Sequence, residues 1–167
     1  MNNLRCWLLI SFVTFSVQAC SPLGDPVNVA VSDNHFYNPD RSDILFCRMG
    51  NWFELGESSL NANVESFEVF NRLIAKDKDR IYFQSNPVRP SSIDLSSFYA
   101  KDNPDMYQIG FDKNHVYGFH MSRNWGEDAE VTLIKSADPK SYNQMDYECG
   151  KDDSAYFYAY KKLFVDR

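Results

Sequence analysis

Phe111-Asp112-Lys113-Asn114-His115-Val116-Tyr117 is the stretch on which the fold turns. An acid, a lysine and an amide in succession favour a tight turn, because Asp and Asn tolerate left-handed backbone and hydrogen-bond their own main chain. The hydrophobic residue and tyrosine that follow have the character of a β-strand. The same order returns in Lys76-Asp77-Lys78-Asp79-Arg80-Ile81-Tyr82-Phe83 and in Gly150-Lys151-Asp152-Asp153-Ser154-Ala155-Tyr156-Phe157. Aligned on the tyrosine, the copies lie 35 and 39 residues apart. A weaker copy, Ser32-Asp33-Asn34-His35-Phe36-Tyr37, precedes them. Recurrence at such intervals is the signature of a chain built from stacked supersecondary units.

A second element stands before each of the three stronger copies: an Asx, two residues, a serine, then an aromatic. It reads Asn63-Val64-Glu65-Ser66-Phe67, Asp94-Leu95-Ser96-Ser97-Phe98 and Asp138-Pro139-Lys140-Ser141-Tyr142. An Asx side chain caps a short helical turn, and Pro139 suits the first position after such a cap. The aromatic is then expected to enter the core. This two-part pattern resembles the DKNYY repeat family of bacterial exported proteins, over residues 61–160, with Asp112 to Tyr117 and Asp138 to Tyr142 as its best matches. The resemblance implies a repeat architecture and brings no catalytic residues.

The expected fold is mostly β: about three to five repeated β-hairpin units with short helical turns between them. Alternation places Tyr156, Tyr158 and Tyr160 on one face and Ala155, Phe157 and Ala159 on the other. Tyr117, Phe119 and Met121 are expected to share a face. A separate hairpin is expected from residues 44–47 and 52–55, turning at Gly50-Asn51. Phe67, Phe70 and Ile74 also fit helical spacing, so residues 65–75 are either a helix or a turn plus strand, with β preferred.

The N-terminus gives an address. Residues 1–5 carry one basic side chain, Arg5, and residues 6–17 form an apolar run of twelve. A membrane-spanning helix needs about 20 apolar residues, so the run suits a secretory signal covering residues 1–19. Val17-Gln18-Ala19-Cys20 resembles a bacterial lipobox, with Gln18 the one departure. It implies acylation of Cys20, and Ser21 after it is permissive for outer-membrane sorting. The expectation is a lipid-anchored protein of the cell envelope, at the outer membrane facing the periplasm. The alternative is a soluble periplasmic protein cut after Ala19. Residues 20–28 are then an anchor and linker, and residues 29–167 a single domain.

Of the cysteines, Cys6 leaves with the signal and lipidation uses Cys20. Cys47 and Cys149 remain, and two thiols in an oxidising compartment are expected to pair.

Composition narrows the function. The whole chain has a formal net charge of −6, which disfavours nucleic acid as a partner. No phosphate loop, nucleophile elbow or zinc-protease motif occurs in the sequence. Counted as a calcium loop from Asp77, the position that needs Gly holds Tyr82 and the one that needs Glu holds Val88, so no metal or cofactor is expected. His35 and His115 are expected to share a position beside a turn tip, and His120 to lie in a strand. Trp125, Tyr107 and Tyr99 are candidates for an exposed contact site. The functional expectation is a non-enzymatic lipoprotein that binds a protein partner, an immunity or inhibitor protein being one version. A glycan- or peptidoglycan-binding module is the alternative.

Overall fold

The structure, a computed structural model, describes residues 21–88, 92–101, 108–120, 129–146 and 148–163. Four antiparallel sheets follow one another along the chain. The first contains β1 (His35–Tyr37), β2 (Ile44–Phe46) and β3 (Ser58–Ser59). The second is the meander β4 (Glu68–Val69), β5 (Ile74–Lys76), β6 (Ile81–Phe83) and β7 (Asn86–Val88). The third runs β8 (Tyr99–Ala100), β9 (Gln108–Phe111), β10 (Val116–His120) and β11 (Glu130–Leu133). The fourth runs β12 (Asn143–Gln144), β13 (Cys149–Lys151), β14 (Tyr156–Tyr158) and β15 (Lys161–Lys162). The mostly-β, repeated-hairpin expectation is what the chain adopts.

The sheets are layered, and each buried cluster is shared by consecutive sheets. Ile44, Phe46, Leu60 and Tyr82 join the first to the second. Ile74, Ile81, Phe83, Phe98, Tyr117 and Phe119 join the second to the third. Ile109, Phe111, Val116, Ile134, Tyr142 and Phe157 join the third to the fourth. The two inner sheets are therefore buried on both faces: Ile81, Tyr82 and Phe83 are all buried, as are Val116, Tyr117, Gly118 and Phe119. Tyr117 and Phe119 do share a face, Val116 and Gly118 pack on the opposite one, and Met121 lies outside the described residues. In the fourth sheet Phe157 is buried while Tyr156 and Tyr158 are exposed, because their face looks away from the stack.

Close approach between strands needs small residues. Gly110 lies opposite Tyr117 in the β9–β10 pairing, and a Cβ there would come within 2.7 Å of the Phe98 and Phe119 rings. Gly150 lies opposite Phe157, and a Cβ there would come within 2.6 Å of Cζ of the Tyr142 ring. In the third and fourth sheets the aromatic of the Asx-x-x-Ser-aromatic element thus lies across a glycine of its own sheet.

Several local expectations are corrected. Residues 52–55 form not a strand but the one-turn helix α1 (Trp52–Leu55), because the Asn51 side chain accepts a hydrogen bond from the Glu54 N–H and caps it. β2 pairs instead with β3. Residues 65–75, by contrast, follow the preferred turn-plus-strand reading: a 3-10 turn at Val64–Ser66 leads into β4 and β5. Residues 32–37 are not a copy of the tip, since Tyr37 ends β1 and the first sheet's tip is the following turn, where Asn38 N–H donates to Asp43 O and Asp43 N–H to Asn38 Oδ1. His35 lies within β1 and His115 at a tip, so the two do not share a repeat position. Tyr160 leaves the alternating face because Ala159 and Tyr160, with φ of 45° and 64°, make the turn into β15. Residues 24–28 are not a free linker: Gly24 N–H donates to Tyr37 O, Val27 N–H donates to His35 O, and Pro26 bridges to Phe36.

Candidate functional site

The two recurrent sequence elements meet at a hydrogen-bonded lock, made three times. In the third sheet Asp112 is its hub, 1% exposed. Oδ1 accepts from the N–H groups of Asn114 at 2.8 Å and His115 at 2.7 Å, which closes the tip. Oδ2 accepts from the Asp94 N–H at 3.0 Å and the Tyr117 hydroxyl at 2.8 Å. The Ser97 hydroxyl donates to Asp94 Oδ2 and accepts from the Lys113 N–H. Burial alone would raise the Asp112 pKa. The N–H of Asp94 and of Asn114, the Tyr117 hydroxyl and the N–H of His115 together outweigh it and hold the carboxyl below its ordinary value.

Asp77 repeats the arrangement. It accepts from the N–H groups of Asp79, Arg80 and Asn63 and from the Tyr82 hydroxyl at 2.7 Å, while Ser66 Oγ accepts from the Lys78 N–H. Asp152 accepts from the N–H groups of Ser154, Ala155 and Asp138. No tyrosine hydroxyl reaches it, because Phe157 and not Tyr156 stands where Tyr82 and Tyr117 stand, but Ser154 Oγ donates to its Oδ1 at 2.9 Å. Every carboxylate the repeats have in common is thus saturated by its own unit. Such a group is a poor general base, because it is already stabilised in its ionised form.

What differs between copies lies at the tips. The residue three after the hub is Arg80, His115 or Ala155. His115 Nδ1 is 3.2 Å from the Tyr117 hydroxyl, whose proton is directed to Asp112, so the ring fits as a donor to that oxygen. Between the second tip and the capped turn that begins at Asp94 lies an open groove of about 510 Å³, lined by residues that include Ser66, Lys76, Asp77, Asp94 and Ser96. Lys76 Nζ is occupied there, donating to the carbonyls of Leu95 and Phe98 at 3.1 and 3.2 Å. Lys113 pairs with Asp94 at 2.9 Å. The groove therefore presents hydrogen-bonding groups, among them Ser96 Oγ, which donates to Asp94 Oδ1 at 2.6 Å. Among the described residues no three His, Cys, Asp or Glu side chains are grouped to hold a metal ion.

Among the described residues, most of the exposed large hydrophobic side chains lie at the two ends of the stack. At the first sheet, residues 48–57 insert between β2 and β3 and expose Met49 (62%), Phe53 (83%) and Leu55 (52%). At the fourth sheet, Tyr156 and Tyr158 are about half exposed on a face that also holds Lys151 and Lys161, with Met145 and Leu163 exposed nearby. The Tyr158 hydroxyl is hydrogen-bonded to Glu148. None of these was picked out as a site from sequence. The alternation at Tyr156 and Tyr158 was the available signal, whereas Phe53 was masked by its assignment to a strand.

The expected site residues are scattered. Tyr99 is 40% exposed and stacks on Phe111 with ring centroids 5.1 Å apart, so one of its faces is already covered. Trp125, Tyr107 and Cys20 lie outside the described residues. Cys47 and Cys149 are free thiols and do not form the expected bridge. Cys47 ends the first sheet's second strand and Cys149 lies in the fourth sheet, with two whole sheets between them in the stacking order. Burial, then Glu57, raises the Cys47 thiol; burial, then Asp146, raises that of Cys149. His35 is wholly buried, with Nδ1 on Ser32 Oγ at 2.8 Å and Nε2 without a partner. His120 lies in β10, with Nε2 3.2 Å from Glu130.

Compared with family models, with curated proteins and with solved structures, the chain gives no match in any of the three.

Proposed function

We propose that the chain is a non-enzymatic lipoprotein of the cell envelope. In this reading residues 1–19 export it, Cys20 carries the anchor at the outer membrane, and the outward face of the fourth sheet binds a protein partner. The repeats are of the DKNYY kind, and their role is to build a rigid stack. The observation that carries the reading is the exposed Tyr156–Tyr158 pair, flanked by Lys151 and Lys161 on an otherwise acidic chain. Tyrosine supplies large contact area at low entropic cost and is enriched at interface centres. The saturation of Asp77, Asp112 and Asp152 supports a structural use of the repeated acids. An immunity or inhibitor role is one version of such binding.

A photo-crosslinking residue placed at Tyr158 tests this in cells producing the protein. A discrete protein adduct at position 158, absent with the probe at exposed Asp79, is the expected result. No adduct from either position 156 or 158 would refute it. The paired tyrosines also suit stacking on sugar rings, so co-sedimentation with purified cell wall, lost in Tyr156→Ala/Tyr158→Ala, would select a glycan partner instead.

A further inference from the structure

The inserted segment at the opposite end of the stack has a geometry that the partner reading does not use. Asn34 Oδ1 accepts from the Met49 N–H at 2.7 Å, and a Cβ on Gly50 would lie 3.2 Å from Cζ of Phe36. Phe36 neighbours His35, whose ring packs towards the second sheet against Phe67, so Phe36 points the other way. The segment is therefore folded across the outward face of the first sheet, leaving Phe36 and Leu45 half-buried. On its own far side it exposes Met49, Phe53 and Leu55, with Trp52 set edge-to-face against Phe53 at 5.9 Å. Val29, 77% exposed, precedes the same end of β1.

Length decides what lies next to this apolar knuckle. Gly24 is fixed to the first sheet by its bond to Tyr37 O. Only residues 21–23 separate it from Cys20, a span of at most about 14 Å even when fully extended. β1 has three residues, about 10 Å of strand. The segment leading from the anchor and the knuckle thus both attach to the first sheet, Gly24 at the Tyr37 end of β1 and Met49 at its Asn34 end, within reach of one lipid surface.

We propose that residues 49–55 insert into the lipid surface beside the anchor, as a second, protein-borne membrane contact. The inference rests on the reading of Cys20 as the anchor. The occupant is a bilayer and the attraction apolar, because the segment and its flank carry Glu54 and Glu57 against Arg48, while nearby Asp33 is paired with Arg72. Anionic lipid would repel this charge, so contact comes from burying Met49, Phe53 and Leu55 and from the preference of tryptophan for the interfacial layer.

Trp52 and Trp125 are the tryptophans of residues 20–167, so Trp125→Phe leaves Trp52 as a single reporter. That variant is held on zwitterionic phosphatidylcholine vesicles in two forms. One is the cell-derived mature protein; the other is residues 21–167 with an N-terminal hexahistidine tag on a nickel-chelating lipid. The expected result is strong quenching of Trp52 by lipids brominated high on the acyl chain and weaker quenching by deep bromines, as for insertion about 5–10 Å below the surface. Phe53→Ser/Leu55→Ser should abolish the quenching, and added salt should leave it unchanged. A vesicle-bound protein whose Trp52 is unquenched, or is quenched equally in Phe53→Ser/Leu55→Ser, overturns the insertion. The mass of the Cys20 peptide reads the anchor separately. Without acyl mass the anchor reading fails, and quenching of the tagged form still decides the knuckle. A discrete crosslinked protein at position 53 in cells, with no quenching, would assign the surface to a protein instead.

Discussion

Replacing Asp112 by Asn should destabilise the protein more than the same change at Asp152, by about the worth of one buried hydrogen bond. Asn keeps one carbonyl oxygen for the two tip N–H groups, but it removes the charge and turns the second oxygen into an NH2 group. At position 112 that group faces two donors, the Asp94 N–H and the Tyr117 hydroxyl. At position 152 it faces one, the Asp138 N–H, because Phe157 carries no hydroxyl. A hydrogen bond to a charged group contributes roughly 1.5–3 kcal/mol, and a buried donor left unmatched costs about 1–3 kcal/mol. The Tyr117 hydroxyl can turn to Ser92 O, 3.1 Å away, which recovers part of the loss. Asp112→Asn is therefore expected to cost about 3 kcal/mol and Asp152→Asn about 1–2 kcal/mol, with Tyr117→Phe at about 1–2 kcal/mol. Urea unfolding at neutral pH measures all three. In the cycle, Asp112→Asn should cost less in the Tyr117→Phe background than alone. Equal costs at positions 112 and 152, or additive costs of Asp112→Asn and Tyr117→Phe, would refute the hub. The pH dependence follows the same logic. The Asp112 carboxyl is depressed in the folded state, so its contribution is complete above the ordinary Asp value and is lost as pH falls through the folded value. Asp112→Asn should lack that acid limb.

Other outcomes are specific to single sites. Burial holds His35 neutral, lowering its pKa from 6.5 to about 4. Stability of about 3 kcal/mol is thus fully present above pH 6.5 and lost as pH falls towards 4; His35→Leu should flatten that limb, which lies above the range where the aspartates act. Gly110→Ala should cost about 1–3 kcal/mol by overpacking against Phe98 and Phe119, read as a lower melting temperature, whereas Gly56→Ala meets no neighbour and should cost only the strain of its positive φ. The Arg72–Asp33 pair is bidentate but about half exposed on both sides, so Arg72→Ala should cost under about 1 kcal/mol, less at high salt, in the same unfolding assay. Under native conditions Cys149 should alkylate slowly, and faster as pH rises, while Cys47, 1% exposed, should react only on unfolding; mass spectrometry of labelled peptides reads both.

Legibility in the sequence followed the physics of each sheet. The clean alternation around Tyr156 was readable because one face of the fourth sheet is open. The copies at Ile81 and Val116 blur because their sheets are covered on both faces, which erases the period-two signal. The Asx-x-x-Ser-aromatic element and the acidic tip were each visible as words. Their connection through Asp94 N–H and Asp112 Oδ2 was not, because nothing in a linear pattern says that a backbone donor 18 residues away completes a carboxylate. Trp52 to Leu55 resembled a strand because three apolar residues crowd into four, and only the Asn51 cap turns them into a helix. The Cys47–Cys149 expectation came from counting thiols, and counting is blind to stacking order.

That stacking order gives the molecule a height. Facing sheets lie about 10 Å apart, so four layers put the middle of the last roughly 30 Å from the middle of the first. Because each core cluster joins consecutive sheets, a unit is a spacer of fixed thickness, and gaining or losing one changes reach without altering what either end displays. If residues 49–55 rest on a bilayer, the Tyr156–Tyr158 face stands at a set elevation above it. An excised second unit, residues 63–93, would lower that face by about 10 Å. The number of repeats is then a length setting, selected by how far from the membrane the contact must be made.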